Sequence, residues 1–347
     1  MEETLMRRPV GLVFSISLGL LSTANAASTS DILWLSDVAP KRAKPAAESS
    51  HNHGGKQAEN MDAVISGDAG DNLHSGTKRL WLRQGDDPAN APYVDASGVP
   101  AAINLLDAKG NRSQVEQTPV NGLAHAKSEF SELGFYNAYL ARESLSDGVK
   151  RVQLAKAELL KGSCCMKSGD VDPAQMKAIS DPGLPLEIVR EHEPDEKLFT
   201  RITSGDRIRF TVNRQGKPAT GVAVTMLTQQ GWQKKAVSNA DGQVEFTMIR
   251  DYFPAWSDFK RRTKETFLVV AEVEEAASGT HDGRPYAKVA YQATLSGRYA
   301  PSPYDYKSYA WGLGISVFVL AFGGLGVYLY RRRRLRPFKE VRFNESA

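Results

Sequence analysis

Cysteine is nearly absent: the 347 residues include two, and they are neighbours, Cys164 and Cys165. No disulfide can therefore tie distant parts of the chain together, because adjacent cysteines pair only by straining the peptide between them. The alternatives for the pair are such a strained bridge, a link to another chain, or a soft site with the adjoining Met166 that suits Cu(I). Charge of one sign is also scarce over most of the length. The formal +4 resides in the tail, where seven Arg and Lys residues stand against two Glu after Tyr330. Arg7 and Arg8 balance Glu2 and Glu3 at the other end, and the body between is close to neutral. A neutral body excludes an electrostatic basis for nucleic-acid binding. Catalytic signatures are missing as well. There is no G-x-S-x-G elbow, H-E-x-x-H pair, phosphate loop or dinucleotide fingerprint. The carboxylate pairs Asp86-Asp87, Glu191/Glu193 and Glu274-Glu275 have no spacing that implies acid–base work. The chain reads as a non-enzyme.

Two uncharged apolar runs are present instead. Arg7 and Arg8 precede Val10 to Leu21, and Ala24-Asn25-Ala26 follows. That order is a secretory signal over residues 1–26, with Ala27 opening the mature chain. The second run, residues 309–330, has 22 residues and no charge. At the helical rise it covers about 30 Å, the thickness of a bilayer core. Tyr309 and Trp311 mark one end and Tyr328 and Tyr330 the other, with Arg331 to Arg334 immediately beyond. Basic residues collect on the cytoplasmic side, so the expectation is a single-pass protein of the inner membrane, its body in the periplasm and its tail, residues 331–347, in the cytoplasm. Gly323, Gly324 and Gly326 form a small-residue patch suited to a partner helix.

Between these runs, residues 27–76 are poor in apolar residues and show no period, which predicts a flexible segment. Asp31 to Leu35 is the exception, a short strand able to dock on the body. Residues 77–162 predict a first β domain, with strands at Arg79–Arg83, Ala101–Leu106 and Gly134–Leu140 and a turn cluster from Asp107 to Asn111. Arg151 to Leu160 fits strand and helix equally. Residues 163–183, with Gly169, Pro173, Pro182 and Gly183, predict a linker. In residues 184–296 the period of two is plain: Ile208, Phe210 and Val212 share one face, as do Val244, Phe246 and Met248. Val222 to Leu227, Phe267 to Ala271 and Ala287 to Leu295 add strands, separated by Gly, Pro and Asp turns. Residues 297–308 predict a stalk. The fold class is mainly β: two tandem immunoglobulin-like or prealbumin-like antiparallel sandwiches plus one C-terminal transmembrane helix.

The series Leu184-Pro185-Leu186-Glu187-Ile188-Val189, Ser204-Gly205-Asp206-Arg207-Ile208-Arg209-Phe210, Gly216-Lys217-Pro218-Ala219-Thr220-Gly221 and Asn239-Ala240-Asp241-Gly242-Gln243-Val244-Glu245-Phe246 resembles a bacterial periplasmic domain family associated with nickel and cobalt uptake, the NikM- and NikK-type accessory proteins. Ala155 to Gly162 is similar to that family's segment between its halves. The likeness spans about Arg79 to Leu295. It implies an accessory protein of a transition-metal uptake system, one that captures metal or docks on an inner-membrane transporter. Members of that family often begin the mature chain with a His shortly before a Leu-Trp-Leu-like strand; here Ser30 and Asp31 precede Leu33-Trp34-Leu35, and no His does.

The candidate metal ligands are His51 and His53, an H-x-H pair able to offer two imidazoles to Ni(II), Co(II), Cu(II) or Zn(II). Asp68, Asp71 and His74 lie near them in sequence. Cys164, Cys165 and Met166 make a second candidate, for copper or redox work. A Ni, Co or Cu ion is the cofactor these residues would take. His125, His192 and His281 read as surface residues, with His192, among Glu191, Glu193 and Asp195, placed in an acidic turn. Trp232, Tyr252 and Trp256 suit a ligand face or a core. The rival reading is a β-sandwich module that binds protein or glycan and handles no metal.

Overall fold

Fifteen strands and one long helix make up the described parts of a computed structural model, which are residues 31–40, 77–130, 132–162, 172–193, 196, 200–251 and 264–335. The first half holds β1 (Leu33–Ser36), β2 (Thr77–Gln84), β3 (Ala102–Asp107), β4 (Arg112–Glu116), β5 (His125–Glu129), β6 (Gly134–Ser146) and β7 (Val149–Lys161). The second holds β8 (Glu187–Arg190), β9 (Arg207–Arg214), β10 (Lys217–Pro218), β11 (Ala223–Thr228), β12 (Gln233–Val237), β13 (Gln243–Thr247), β14 (Glu265–His281) and β15 (Arg284–Tyr299). Helix α1 spans Pro303–Arg334.

The halves repeat one plan. In the first, β1, β2 and β5 form a small sheet, and β7, β6, β3 and β4 follow one another in a larger one. In the second, β8, β9 and β13 form the small sheet, while β15, β14, β11 and β12 follow in the larger one. The two-residue β10 is an extra arm on β9. Chain order and strand neighbours therefore match, which makes each half the same seven-stranded, immunoglobulin-like sandwich. The mainly β architecture with one C-terminal apolar helix is as the sequence predicts.

The sequence did not disclose how the halves join. Strands β7 and β15 pair in parallel, from Val149 opposite Lys288 to Ala157 opposite Ser296. That seam fuses the two larger sheets into one sheet of eight strands. The symmetry relating two parallel neighbours is an approximate two-fold along the strands, and such a rotation exchanges the faces of the sheet. The small sheets must then lie on opposite faces. Side-chain parity in β7 agrees: Ala155, Ala157 and Leu159 enter the first core with Leu33, Leu80 and Leu82, while Val152 and Leu154 enter the second with Phe210, Phe246 and Phe267.

The turns repeat too. β6–β7 and β14–β15 are each joined through Asp-Gly, Asp147-Gly148 and Asp282-Gly283, with φ of 52° and 73° and of 51° and 74°. Positive φ at both central residues gives the turn whose twist matches a hairpin, and glycine takes the second position without strain. The tips lie side by side, with the Ala287 amide donating to Gly148 O at 3.0 Å.

Residues 297–308, expected as a stalk, are divided between β15 and α1. Only 300–302 intervene, and they are tied back: Ala300 bridges to Thr203, and the Ser302 amide donates to Ser204 Oγ at 2.9 Å. Ser204 Oγ donates in turn to Asp305 Oδ2 at 2.6 Å. Asp305, 4% exposed, also pairs with Arg250. Ser302 caps α1 by accepting from the Tyr304 amide. Beyond that first turn α1 is exposed and lies against no other element among the described residues, where it is the one helix long and apolar enough to cross a membrane.

Candidate binding cleft

His51, His53, Cys164, Cys165 and Met166 lie outside the described residues, as do Asp68, Asp71, His74, Tyr252 and Trp256. Among the described residues no group of three or more His, Cys, Asp or Glu is set to hold a metal ion. Trp232 packs, partly buried, against the second core. His281 lies 3.7 Å from Glu143 and 3.5 Å from Asp282.

The stretch expected as a linker does structural work. Its described part, from residue 172 onward, crosses the face of β6 and β7 that the first small sheet leaves uncovered. Met176, Ile179 and Leu184 pack there on Leu106, Phe135 and Tyr139. Two ionic clusters fix it. In the first, Lys156 Nζ of β7 donates to Glu187 Oε1 at 2.7 Å, and the side chains are 5% and 2% exposed. Tyr139 Oη donates to the same oxygen at 2.8 Å. Ser180 Oγ and the Asp181 amide donate to Oε2 at 2.8 and 2.9 Å. Glu187 thus meets four donors, enough to hold a carboxylate away from water. Burial pushes the Lys156 ammonium down from its ordinary value and the Tyr139 phenol up. Asp181 is gripped by both Nη atoms of Arg112 at 2.6 and 2.7 Å, and those bonds hold its carboxyl below the usual range.

In the second cluster, Arg190 of β8 donates to Glu158 Oε1 from Nε at 2.9 Å and Nη2 at 2.7 Å, and to Glu196 Oε1 from Nη1 at 2.9 Å. His192, far from being a surface residue, has a side chain only 6% exposed. Its ring lies 4.2 Å from that of Phe135. Nδ1 stands 2.8 Å from Met176 O, a carbonyl that can only accept, so the proton sits on Nδ1. Nε2 then faces both Arg190 at 3.0 Å and Glu158 Oε2 at 3.1 Å, and accepts or donates according to charge. Burial alone would raise the Glu158 carboxyl, but Arg190 and His192 overcome it and hold it down to about 2. The flanking Glu191 and Glu193 turn the other way, to Thr211 and Gln243 and to Arg209. The histidine thus points inward between two outward carboxylates, and Asp195 lies outside the described residues.

A cleft opens where the seam ends. Past Ala157 and Ser296 the parallel strands part: β7 follows β6 to the Gly134–Lys161 pair, and β15 follows β14 to the Glu265–Tyr299 pair. The fork encloses about 230 Å³. Phe135 and Leu160 line it from the first half and Phe267, Leu295 and Tyr299 from the second, so the walls are apolar. Arg201, Lys264 and Arg298 add positive charge. Arg298 pairs with Asp37 at 3.3 Å, and its buried Nε has no hydrogen-bond partner among the described residues. The fork keeps its shape through Gly297, against which the ring of the cross-strand neighbour Phe267 lies so closely that any Cβ would collide.

No family model and no curated protein matches the chain. Among solved structures it is similar to the BSP domain of a biofilm-associated protein, at 10% identity over 66% of this chain and 28% of that one, with a TM-score of 0.16. It is similar to a 1.5-MDa bacterial ice-binding adhesin at 14% identity over 66% of this chain and 60% of that one, TM-score 0.17. A two-domain fibronectin type-III segment of chicken tenascin is similar at 8% identity over 62% of this chain and 90% of that one, TM-score 0.14. The chain thus spans less than two thirds of the first two, and scores this low carry nothing about function.

Proposed function

We propose that this is a single-pass membrane protein whose extracytoplasmic body works by binding, as an accessory docked on a partner in the same membrane, and not as an enzyme. The observation that carries the reading is the continuity of β15 with α1. Strand β15 borders the seam for most of its length, and three residues after its end the helix begins, clamped through Ser204, Asp305 and Arg250. A body on a loose stalk would sample all orientations. One clamped to its anchor presents fixed faces at a fixed height, which suits a neighbour embedded in the same bilayer. From Tyr299 to the β14–β15 tip is about 16 residues, or about 50 Å of reach. Residues 1–26 serve as the export signal, and Arg331 to Arg334 hold the tail in the cytoplasm. The resemblance to nickel and cobalt accessory proteins supplies a setting, in which the partner is a transporter and His51 and His53 offer a metal its first ligands.

Inserting about ten Gly and Ser residues between Tyr299 and Pro303 keeps both parts and removes the rigid joint. Native electrophoresis of gently solubilised membranes is expected to show a partner complex for the natural chain and its loss on insertion. A complex that survives the insertion, or a natural chain that runs alone, sinks the docking reading. The metal setting is checked separately by titrating the full chain with Ni(II) and Co(II): micromolar binding should disappear in His51→Ala with His53→Ala.

A further inference from the structure

We infer that the four arginines closing α1, Arg331 to Arg334, form a collar that binds the headgroups of anionic phospholipids where the tail leaves the bilayer. The inference rests on the reading of α1 as a membrane span. Helix geometry is the first argument. α1 does not stop with its apolar run at Tyr330 but continues through Arg334, and the Leu335 amide closes the last turn on Arg331 O at 3.0 Å. Successive residues of a helix point about 100° apart, so four in a row reach round about 300° of its circumference. A protein partner docks on one face of such a helix. Lipids surround it, and they alone can meet all four side chains.

Depth is the second. The uncharged run 309–330 matches the bilayer core, and the headgroup layer beyond it is about 5 to 7 Å thick on each side. Four residues of helix occupy about 6 Å, so the collar fills that layer. Helical side chains lean toward the N-terminus, which here lies across the membrane, and the guanidinium groups therefore hang back toward the lipid. Arg334 shows the lean: its Cζ lies 5.1 Å from the centre of the Tyr330 ring, one turn nearer the membrane. Charge is the third. None of the four arginines forms an ion pair among the described residues, and the one acidic residue of α1, Asp305, is at its far end and already held by Arg250. Like charges one turn apart repel, so the turn needs a counter-charge from outside. A phosphate offers paired oxygens to the planar guanidinium fork. The other end of the span has one basic residue, Lys307, which lies over the Tyr304 ring at 5.3 Å. The demand for anionic lipid is thus confined to one leaflet.

The test uses the full chain in nanodiscs of mixed phosphatidylglycerol and phosphatidylcholine, released intact into a mass spectrometer so that retained lipids are counted. Phosphatidylglycerol should be retained in preference to phosphatidylcholine. Arg332→Gln with Arg334→Gln should lower that preference about ten- to thirtyfold. Lys307→Gln, which removes a charge from the other end of the same helix, should leave it unchanged. Equal retention of the two lipids, a preference unmoved by the double variant, or an equal fall on Lys307→Gln overturns the collar. Complete displacement of the lipid by inorganic phosphate overturns the lipid as its occupant. No partner is present, so failure of the docking reading leaves this result standing. A chain that fails to enter the nanodiscs overturns the span as well as the collar, whereas one that enters and retains both lipids equally overturns the collar alone.

Discussion

The two halves share a plan and differ in how each closes the far face of its larger sheet. On β15 the outward positions are Thr294 and Ser296, whose hydroxyls donate to Leu33 O and Leu35 O of β1 at 2.8 and 2.5 Å. Trp34 packs beside them on Leu268 and Val270, and its Nε1 donates to Gly85 O at 3.1 Å. Those contacts are neutral, and the cover is a strand lent by the first half, with the Asp37–Arg298 ion pair at its edge. On β7 the outward positions are Lys156 and Glu158, and the cover is a loop held by Glu187, Arg190 and His192. A strand offers a row of carbonyls that small hydroxyls can meet. A loop offers few regular groups, so charged side chains must reach for it. The difference teaches that two units of one plan can part where each must find its own lid, and that one of these lids is built on buried charge.

The largest effect should come from halving the buried pair. Lys156→Met strands the Glu187 carboxylate and should cost about 3–5 kcal/mol in urea denaturation, whereas replacing Glu187 by Met as well should recover much of it. If the single and double variants lose equally, the clasp is not acting as a pair. Next in size is the pH response. The folded pKa of Glu158 is about 2 against an ordinary 4.5. Its stabilisation is therefore complete above 4.5 and lost as pH falls toward 2, at most roughly 3 kcal/mol. Melting curves across that window should be steeper for the natural chain than for Glu158→Gln, and parallel curves would remove Glu158 from the account. The smallest effect belongs to the strand lid. Thr294→Val leaves Leu33 O without its donor, and should cost about 1 kcal/mol with no dependence on pH between 2 and 4.5.

Strands with one buried face were legible in the sequence. Ile208, Phe210 and Val212 alternate with polar neighbours and all enter one core, as do Val244, Phe246 and Met248. Arg151 to Leu160 fitted strand and helix alike, and the structure gives the reason. Residues Val152 to Ala157 of β7 are buried without a break between two layers, so apolar residues fall on both faces and the polar Gln153 and Lys156 mark no solvent side. The outer stretch of β14, from Glu272 to His281, was missed for the opposite reason: it alternates between exposed and half-buried residues and carries no apolar stripe. The cleft and its ionic clusters were hidden by distance along the chain. Glu158 and Arg190 meet only because the β7–β8 connection folds back. A local cue did exist, since Lys156 and Glu158 interrupt an apolar run, and charges inside a buried strand demand partners from elsewhere.

The union of β15 with α1 has a mechanical consequence. Any pull between the hairpin tips and α1 travels along β15 itself. Over much of its length that strand is hydrogen-bonded on both sides, to β14 and to β7, and the bonds lie across the direction of pull. They carry the load together, in shear, where a strand peeled from one end would surrender them one at a time. The spine of the body is thus also its load-bearing cable, fastened at the lower end by a serine, an aspartate and an arginine.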